Sequence, residues 1–513
     1  MTLRTRDLLI LFVIALAINA LVAVWTDVPG YIMDAHYYFN GGVFLARGDG
    51  LWEPYLWSYV NAPPSLPAPA FGYWRPLASF IAAVGIVALP WLPPFDAAQA
   101  PFVLLAAGLP LISYLVAEKL LGERWLAWVA GLMTVFSGFF APFWSLPETF
   151  TPFALAGALA LLCTGLGCER GQGPRGWAWW AGAGFFAALA DLTRADGLLL
   201  LGVAGLFALF HPRRWRALAG LVGAYALTMA PWLARNLATY GSLQPPGGLS
   251  ALWLLDYNDL FNYPPNLNAA DFFRAGAGEI LRVRWVGFVG NMATVVGVVH
   301  MVFLLPFSVI GFWLRRRDAL IAVALVYALA LFGAMTVLFP LPGMRGGLFH
   351  SSGALLPFVF AASLAGLRWA VSRRRRWNQR QAMRVFGAAC IAYAALVTGY
   401  VLFLRLPSWN ESGAVYGQIG EELEAIGAEP DALVMSNNPP ALYTMTGQGG
   451  VPLPNGDEAA LLRAARDYGV RFLVVDANVP EGLASLYEDG PTSDALRPLA
   501  AFGDAVLYEI TLP

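Results

Sequence analysis

The chain has 513 residues, 58% hydrophobic and 13% charged, with a formal net charge of -1 at pH 7. Soluble domains carry about 25% charged residues, so this composition describes an integral membrane protein. It excludes a nucleic-acid partner, which needs a basic surface; here the arginines fall in short runs between apolar segments.

A helix needs about 20 apolar residues to cross a bilayer. Runs of that kind predict about eleven transmembrane helices, at roughly 7–26, 98–118, 125–143, 150–167, 177–193, 196–211, 215–234, 286–314, 319–338, 351–371 and 385–404. The first, Leu8 to Trp25, is longer than a usual signal-peptide core and reads as an uncleaved anchor. With the N-terminus cytoplasmic, the inner loops hold Arg4, Arg6, Lys119, Arg124, Arg170, Arg175, arginines 213, 214 and 216, arginines 315 to 317, and Arg368 with the cluster through Arg384. That is 19 of the 32 basic residues, as the positive-inside rule requires. The segment "YWRPLASFIAAVGIVALPWL" (73–92) would invert every later loop if it spanned, so it is expected to lie along the outer surface.

This gives a mainly α, polytopic fold with extracytoplasmic surface helices and a small C-terminal α/β domain. Residues 1–404 form the membrane domain, with a first outer loop at 27–97 and a second at 235–285. Residues 405–513 form the external domain, with strands at 431–436, 471–477 and 505–510 and a helix at 457–469. The three cysteines, Cys163, Cys168 and Cys390, lie in or beside apolar segments and suggest neither disulfides nor a cysteine zinc site.

Charged residues outside the membrane concentrate at span ends: Asp34, Arg75, Glu148, Arg194, Asp196, Arg235, Arg345 and His350. Helix packing is expected to gather them around one cleft. External arginines beside spans oppose the orientation signal; a guanidinium pairs well with phosphate oxygens, and it also snorkels or pairs with a nearby carboxylate, as Arg194 could with Asp191 or Asp196. Asp34, desolvated by Tyr31, Tyr37, Tyr38 and lipid, suits a general base; it equally suits a helix cap, and the two roles are compatible. Glu148 is a candidate second carboxylate, acceptor-orienting group or ligand to a divalent cation, against the plainer reading of a first-turn glutamate. His36 and His350 are candidate contacts to phosphate or sugar. His300, near mid-bilayer, is expected to bond to a neighbouring helix, and Trp52, Trp57 and Trp74 to act chiefly as interfacial anchors.

In order, "YIMDAHYYFNGGVFLARGDG", "YWRPLASF", "LPET", "LADLTRADGLLLL", "APWLARNLATYGSLQP" and "MRGGLFHSSGALLPFVFAASLAG" resemble the GT-C superfamily of polytopic glycosyltransferases over about residues 30–400. The nearest branch is that of protein O-mannosyltransferases and the lipid A aminoarabinose transferase. The resemblance implies a hexosyl or pentosyl transferase with a polyprenyl-phosphate sugar donor, inverting transfer on the outer face of a bacterial inner membrane, and a lipid, glycan or protein acceptor. It implies Asp34 as the first-loop catalytic acid and Arg345 as a donor-phosphate contact, with Arg75, His36, Tyr38, Arg194, Asp196, Arg235 and His350 as further substrate-binding candidates. The family often shows Asp-Glu where this chain has Asp34-Ala35, Asp in some members at Glu148, and lysine at Arg75. A polytopic transporter or flippase for a lipid-linked or anionic glycan is the alternative from another class.

Overall fold

The computed structural model describes residues 2–30, 33–61, 63–170, 173 and 176–511. Tyr31 and Arg175, named above, lie outside these residues. The helices of the first half are α1 (Leu3–Val24), α2 (Met33–Arg47), α3 (Leu77–Ala88), α4 (Pro94–Ala106), α5 (Leu109–Leu121), α6 (Arg124–Val135), α7 (Phe150–Arg170), α8 (Trp177–Thr193), α9 (Leu198–Leu209) and α10 (Arg214–Tyr240). There follow α11 (Ala269–Arg274), α12 (Gly276–Ala293), α13 (Leu305–Arg315), α14 (Ala319–Gly333), α15 (Pro340–Pro342), α16 (Leu348–Ser352), α17 (Leu356–Ser372) and α18 (Gln379–Ala425).

Among the described residues seven helical runs are long and apolar enough to cross a membrane: Leu3–Val24, Pro94–Leu121, Phe150–Arg170, Arg214–Tyr240, Ala319–Leu338, Pro340–Ser372 and Gln379–Ala425. The other four predicted stretches are present: α8 matches its predicted bounds at 17 residues, α6 and α9 are shorter than predicted, and the 286–314 run is broken. Hydropathy counts apolar residues and does not see backbone breaks. The break at 300–304 carries Met301 and Val302 at φ 45° and 63°, a costly conformation for a β-branched residue. His300 bonds across this break, to the Val295 carbonyl at 2.7 Å on one side and to Ser308 Oγ of α13 at 3.1 Å on the other, so the neighbouring helix that its sequence position suggested comes from its own predicted span.

The bundle is held by close backbone approach and one buried charge pair. A Cβ on Gly311 of α13 would lie 1.7 Å from the Ala362 carbonyl of α17, and one on Gly366 would lie 1.9 Å from that of Phe307. Only glycine permits this crossing, in the manner of small-residue membrane interfaces. Asp7 of α1, 1% exposed, accepts from Arg124 Nε and Nη2 at 2.5 Å each and from Tyr114 at 2.9 Å. This ties α1 to α5 and α6.

α3 has only 12 residues, about 18 Å of helix, too short to span. Gly41 and Gly42 let α2 lie directly on it against Ser79 and Ala82. A short hairpin, β1 (Trp52–Glu53) with β2 (Ala68–Pro69), completes the first loop. The C-terminal sheet contains β3 (Leu433–Ser436), β4 (Gly450–Pro452), β5 (Val470–Val475), β6 (Leu496–Phe502) and β7 (Ala505–Ile510) in the order β4-β3-β5-β7-β6. The first three strands are parallel and the last two antiparallel; β4 and β6 went unpredicted. α19 (Pro439–Thr446), α20 (Glu458–Tyr468) and α21 (Ala484–Glu488) accompany it.

α18 runs 47 residues, about 70 Å, without interruption across position 404. Its far end places Ile419 and Leu423 in the core on one face of the sheet. The first loop supplies Leu56 and Tyr59 to the core on the other. Leu56 N–H donates to the Gly450 carbonyl at 2.9 Å, so the exposed edge at β4 is covered by the loop and blocked from further pairing.

Candidate active site

Asp34 lies in the first turn of α2, where the helix dipole favours an acid. Glu148 closes a tight turn just before α7, its N–H donating to the Leu146 carbonyl at 2.8 Å. His350 comes from α16, behind a backbone kink at Arg345–Gly346 where glycine adopts φ 126°. One ligand-capable atom from each of Asp34, Glu148 and His350 lies within 4.8 Å of the other two. His350 Nδ1 is 3.3 Å from Glu148 Oε1 and 2.7 Å from Thr149 Oγ1. Its ring stacks on Phe150 at 3.8 Å, which fixes its plane.

Arg194 enters from the α8–α9 junction. Its charge acts on Asp34, Glu148 and Tyr38 alike. Its Nε is 3.2 Å from Asp196 Oδ1, and Asp196 also accepts from the Ser351 hydroxyl. Tyr38, four residues after Asp34 and so on the same helix face, stacks on Trp74. Arg345 lies over the Tyr257 ring at 4.6 Å, and Tyr257 feels the charges of Asp34, Arg345 and Arg194 together. Asp34, Tyr38, Glu148, Arg194, Asp196, Arg345 and His350 therefore converge.

Three predicted residues are engaged elsewhere. His36 is turned into the contact with the C-terminal domain: Nε2 meets the Gly30 carbonyl at 2.5 Å and Nδ1 meets Thr444 Oγ1 of α19 at 2.9 Å. Burial lowers its pKa to about 4, so the neutral ring fills this place. Arg75 is committed to a buried pair with Asp191 at 3.2 Å, supported by Gln244 at 3.1 Å, and Tyr225 donates to Asp191 from behind. Arg235 donates to the Ala70 carbonyl at 2.6 Å and stacks on Trp232 and Tyr240. It secures the first-loop hairpin. Trp57 and Trp74 stack face to face at 4.5 Å inside the loop core, which makes them packing elements as well as boundary rings.

The two carboxyls of this site are perturbed unequally by their surroundings. Burial raises Asp34 to about 6, with Arg194 and the residue's own backbone N–H pulling the other way. Burial and then the Asp34 charge hold Glu148, 1% exposed, well above the usual carboxylate range, with Arg194 opposing. Both carboxyls are thus raised, Glu148 by burial and then by the Asp34 charge, the pattern expected when like charges share a site.

Tyr73 and Tyr257 belong to this site and escaped the sequence reading. Burial pushes Tyr73 up to about 12, and it senses Arg194 and Asp34. Both sit among many interfacial aromatics, and the one available signal was the position of Tyr73 two residues before Arg75. Asp34, Glu148 and His350 also fit a divalent cation: carboxylates with imidazole are an accepted donor set, and neither Glu148 oxygen makes a well-formed hydrogen bond among the described residues. The Arg194 charge works against one.

The chain has the fold of the GT-C membrane glycosyltransferases. ArnT from Cupriavidus metallidurans, bound to undecaprenyl phosphate, matches with TM-score 0.60 at 15% identity, covering 98% of this chain and 97% of that one. The oligosaccharyltransferase of Archaeoglobus fulgidus matches with TM-score 0.54 at 14% identity, over 92% of this chain and 69% of its own. The arabinofuranosyltransferase AftD from Mycobacteria matches at 0.50 and 16% over 98% of this chain, which spans only 41% of AftD. No family model matches the chain, and no curated protein does. At these identities the likeness is one of fold.

Proposed function

We propose that this chain is a membrane glycosyltransferase that takes a sugar from a polyprenyl-phosphate donor and transfers it, with inversion, to a lipid, glycan or protein acceptor on the outer face of a bacterial inner membrane. The observation that carries the reading is the convergence of Asp34, Glu148 and His350 within 4.8 Å under the charge of Arg194. In the proposed step Asp34 takes the proton of the acceptor hydroxyl. The acceptor oxygen then bonds to the anomeric carbon from the side opposite the phosphate. The bond from that carbon to the phosphate oxygen breaks, and polyprenyl phosphate leaves as an anion, which needs no acid to protonate it. Protonated Glu148 donates a hydrogen bond without adding negative charge, and Arg345, held on Tyr257, meets the donor phosphate. Should a divalent cation be recruited, Asp34, Glu148 and His350 would hold it, and it would neutralise phosphate charge.

Incubating the purified protein with radiolabelled polyprenyl-phosphate sugars and membrane extract tests this: labelled acceptor is expected, and its absence with every donor refutes transfer. The transporter reading keeps one specific support, because the run from α12 to α13 and the run through Arg345–Gly346 are both broken helices, as in secondary transporters. Movement of intact donor across vesicles without labelled acceptor would favour it.

A further inference from the structure

About 28 Å along α18 from Trp409, which packs under Gly30 beside the site, an apolar cavity opens between membrane helices. It is a groove of about 440 Å³ between α13, α17 and α18. One wall runs from Leu367 in α17 to Arg374 just past its end, and the other over two turns of α18 from Phe386 to Tyr393, ~10 Å. The hydrocarbon half of one leaflet is ~15 Å deep, so the groove matches a stretch of one acyl chain. Phe303 closes the inner end and Trp377 the rim, the usual place for a tryptophan at the membrane boundary.

The charge at that rim identifies the head group. Arg374 lines the groove and makes no ion pair among the described residues. It belongs to the run Arg373–Arg376, in which Arg373 is occupied over Trp369. Apolar walls with a single free guanidinium at the mouth suit a phosphodiester carrying an acyl chain. The groove's distance from Asp34 separates it from any donor bound at the site by about a membrane's thickness.

We propose that this groove binds one anionic phospholipid, with an acyl chain between α17 and α18 and its phosphate on Arg374. The site is structural to the membrane domain and independent of the transfer reaction, so it stands or falls apart from that reading. Nanodiscs of phosphatidylglycerol and phosphatidylcholine in equal amounts, with native mass spectrometry of the released protein, test it. Retained phosphatidylglycerol is expected over phosphatidylcholine on the order of fivefold, the preference of one interfacial basic residue. Arg374→Gln should bring the ratio to near unity. Ala389→Trp, which fills the groove from α18 and leaves every arginine in place, should abolish retention of both. An unchanged ratio in the first variant removes the head-group contact. Unchanged retention in the second shows a basic surface with no groove behind it, and also overturns the proposal.

Discussion

Asp34→Asn tests the site through stability as well as activity. Asp34 titrates at about 6 in the folded chain against 3.8 for an unperturbed aspartate, a difference of ~2 units or ~3 kcal/mol at 1.36 kcal/mol per unit. Folding raises this pKa, so holding the ionised form costs stability at pH 7. The cost is largest above pH ~6, shrinks as pH falls and vanishes below ~4, where both folded and unfolded states are protonated. Asparagine is nearly isosteric with the protonated acid and escapes the cost. The variant should therefore be the more stable protein at pH 7 by up to ~3 kcal/mol, less whatever solvent screening the partly exposed carboxyl enjoys. Its advantage should disappear by pH ~4. Transfer should fall 10²- to 10⁴-fold, the usual contribution of a general base, and wild-type rates should decline as pH drops through ~6. Thermal denaturation in detergent across pH, paired with the radiolabel assay, reads both. A destabilised variant refutes the desolvated-carboxyl argument, and near-normal transfer removes Asp34 from the chemistry.

Glu148→Gln should keep activity within about tenfold of wild type, because glutamine copies the protonated acid proposed for Glu148, whose carboxyl burial raises; a loss as deep as that of Asp34→Asn would mean Glu148 works ionised. Tyr257→Leu removes the ring under Arg345, a contact of about 0.5–2 kcal/mol, so the donor KM should rise roughly 2- to 30-fold with kcat little changed, and Tyr257→Phe should restore it; equal effects of both variants would assign the role to the hydroxyl. Should Asp34, Glu148 and His350 hold a divalent cation in place of a protonated Glu148, EDTA would lower transfer, added manganese would restore it and Glu148→Gln would lose activity too; indifference to EDTA takes the cation out of the proposal. Gly311→Leu should abolish accumulation of folded protein on size-exclusion chromatography, since no side chain fits 1.7 Å from a carbonyl; a normal elution profile would refute the close crossing of α13 and α17.

Most helices were legible because apolar length and arginine placement act locally, residue by residue. The ends of α8 match their predicted bounds and those of α7 fall within a few residues of them for that reason. The break at Met301 was invisible because "VVGVVHMVF" is uniformly apolar, and the helix stops there for reasons of tertiary packing, including Tyr393 donating to the Met301 carbonyl at 2.9 Å. The continuation of α18 past 404 was hidden by "LPSWNES", whose proline and polar residues read as a loop, yet Pro407 is accommodated inside the helix. Asp34, Glu148 and His350 were recoverable because acids and histidines at span ends must share one interface. The partners of His36 and Arg75 were not, since Thr444 is 408 positions from the first and Asp191 reaches the second only through packing of α8.

These long-range pairings explain how a membrane domain with so few charges holds two carboxyls close together. Asp34 belongs to a helix whose His36 and Asn40 are bonded to α19, Asn40 donating to the Pro440 carbonyl at 2.8 Å. The C-terminal domain thus fixes the axis of α2 from above while α3 supports it from below through Gly41 and Gly42. Glu148 is fixed separately by its turn and by the start of α7. Rigid, independent supports hold the two acids close enough to repel, and Arg194 lies within reach of both. Asp34 is only partly buried while Glu148 is 1% exposed, and burial with the Asp34 charge raises the Glu148 carboxyl well above its ordinary range. The asymmetry on which the proposed base role of Asp34 rests is thus a consequence of which element each acid stands on, and loosening the α2–α19 contact should blur it.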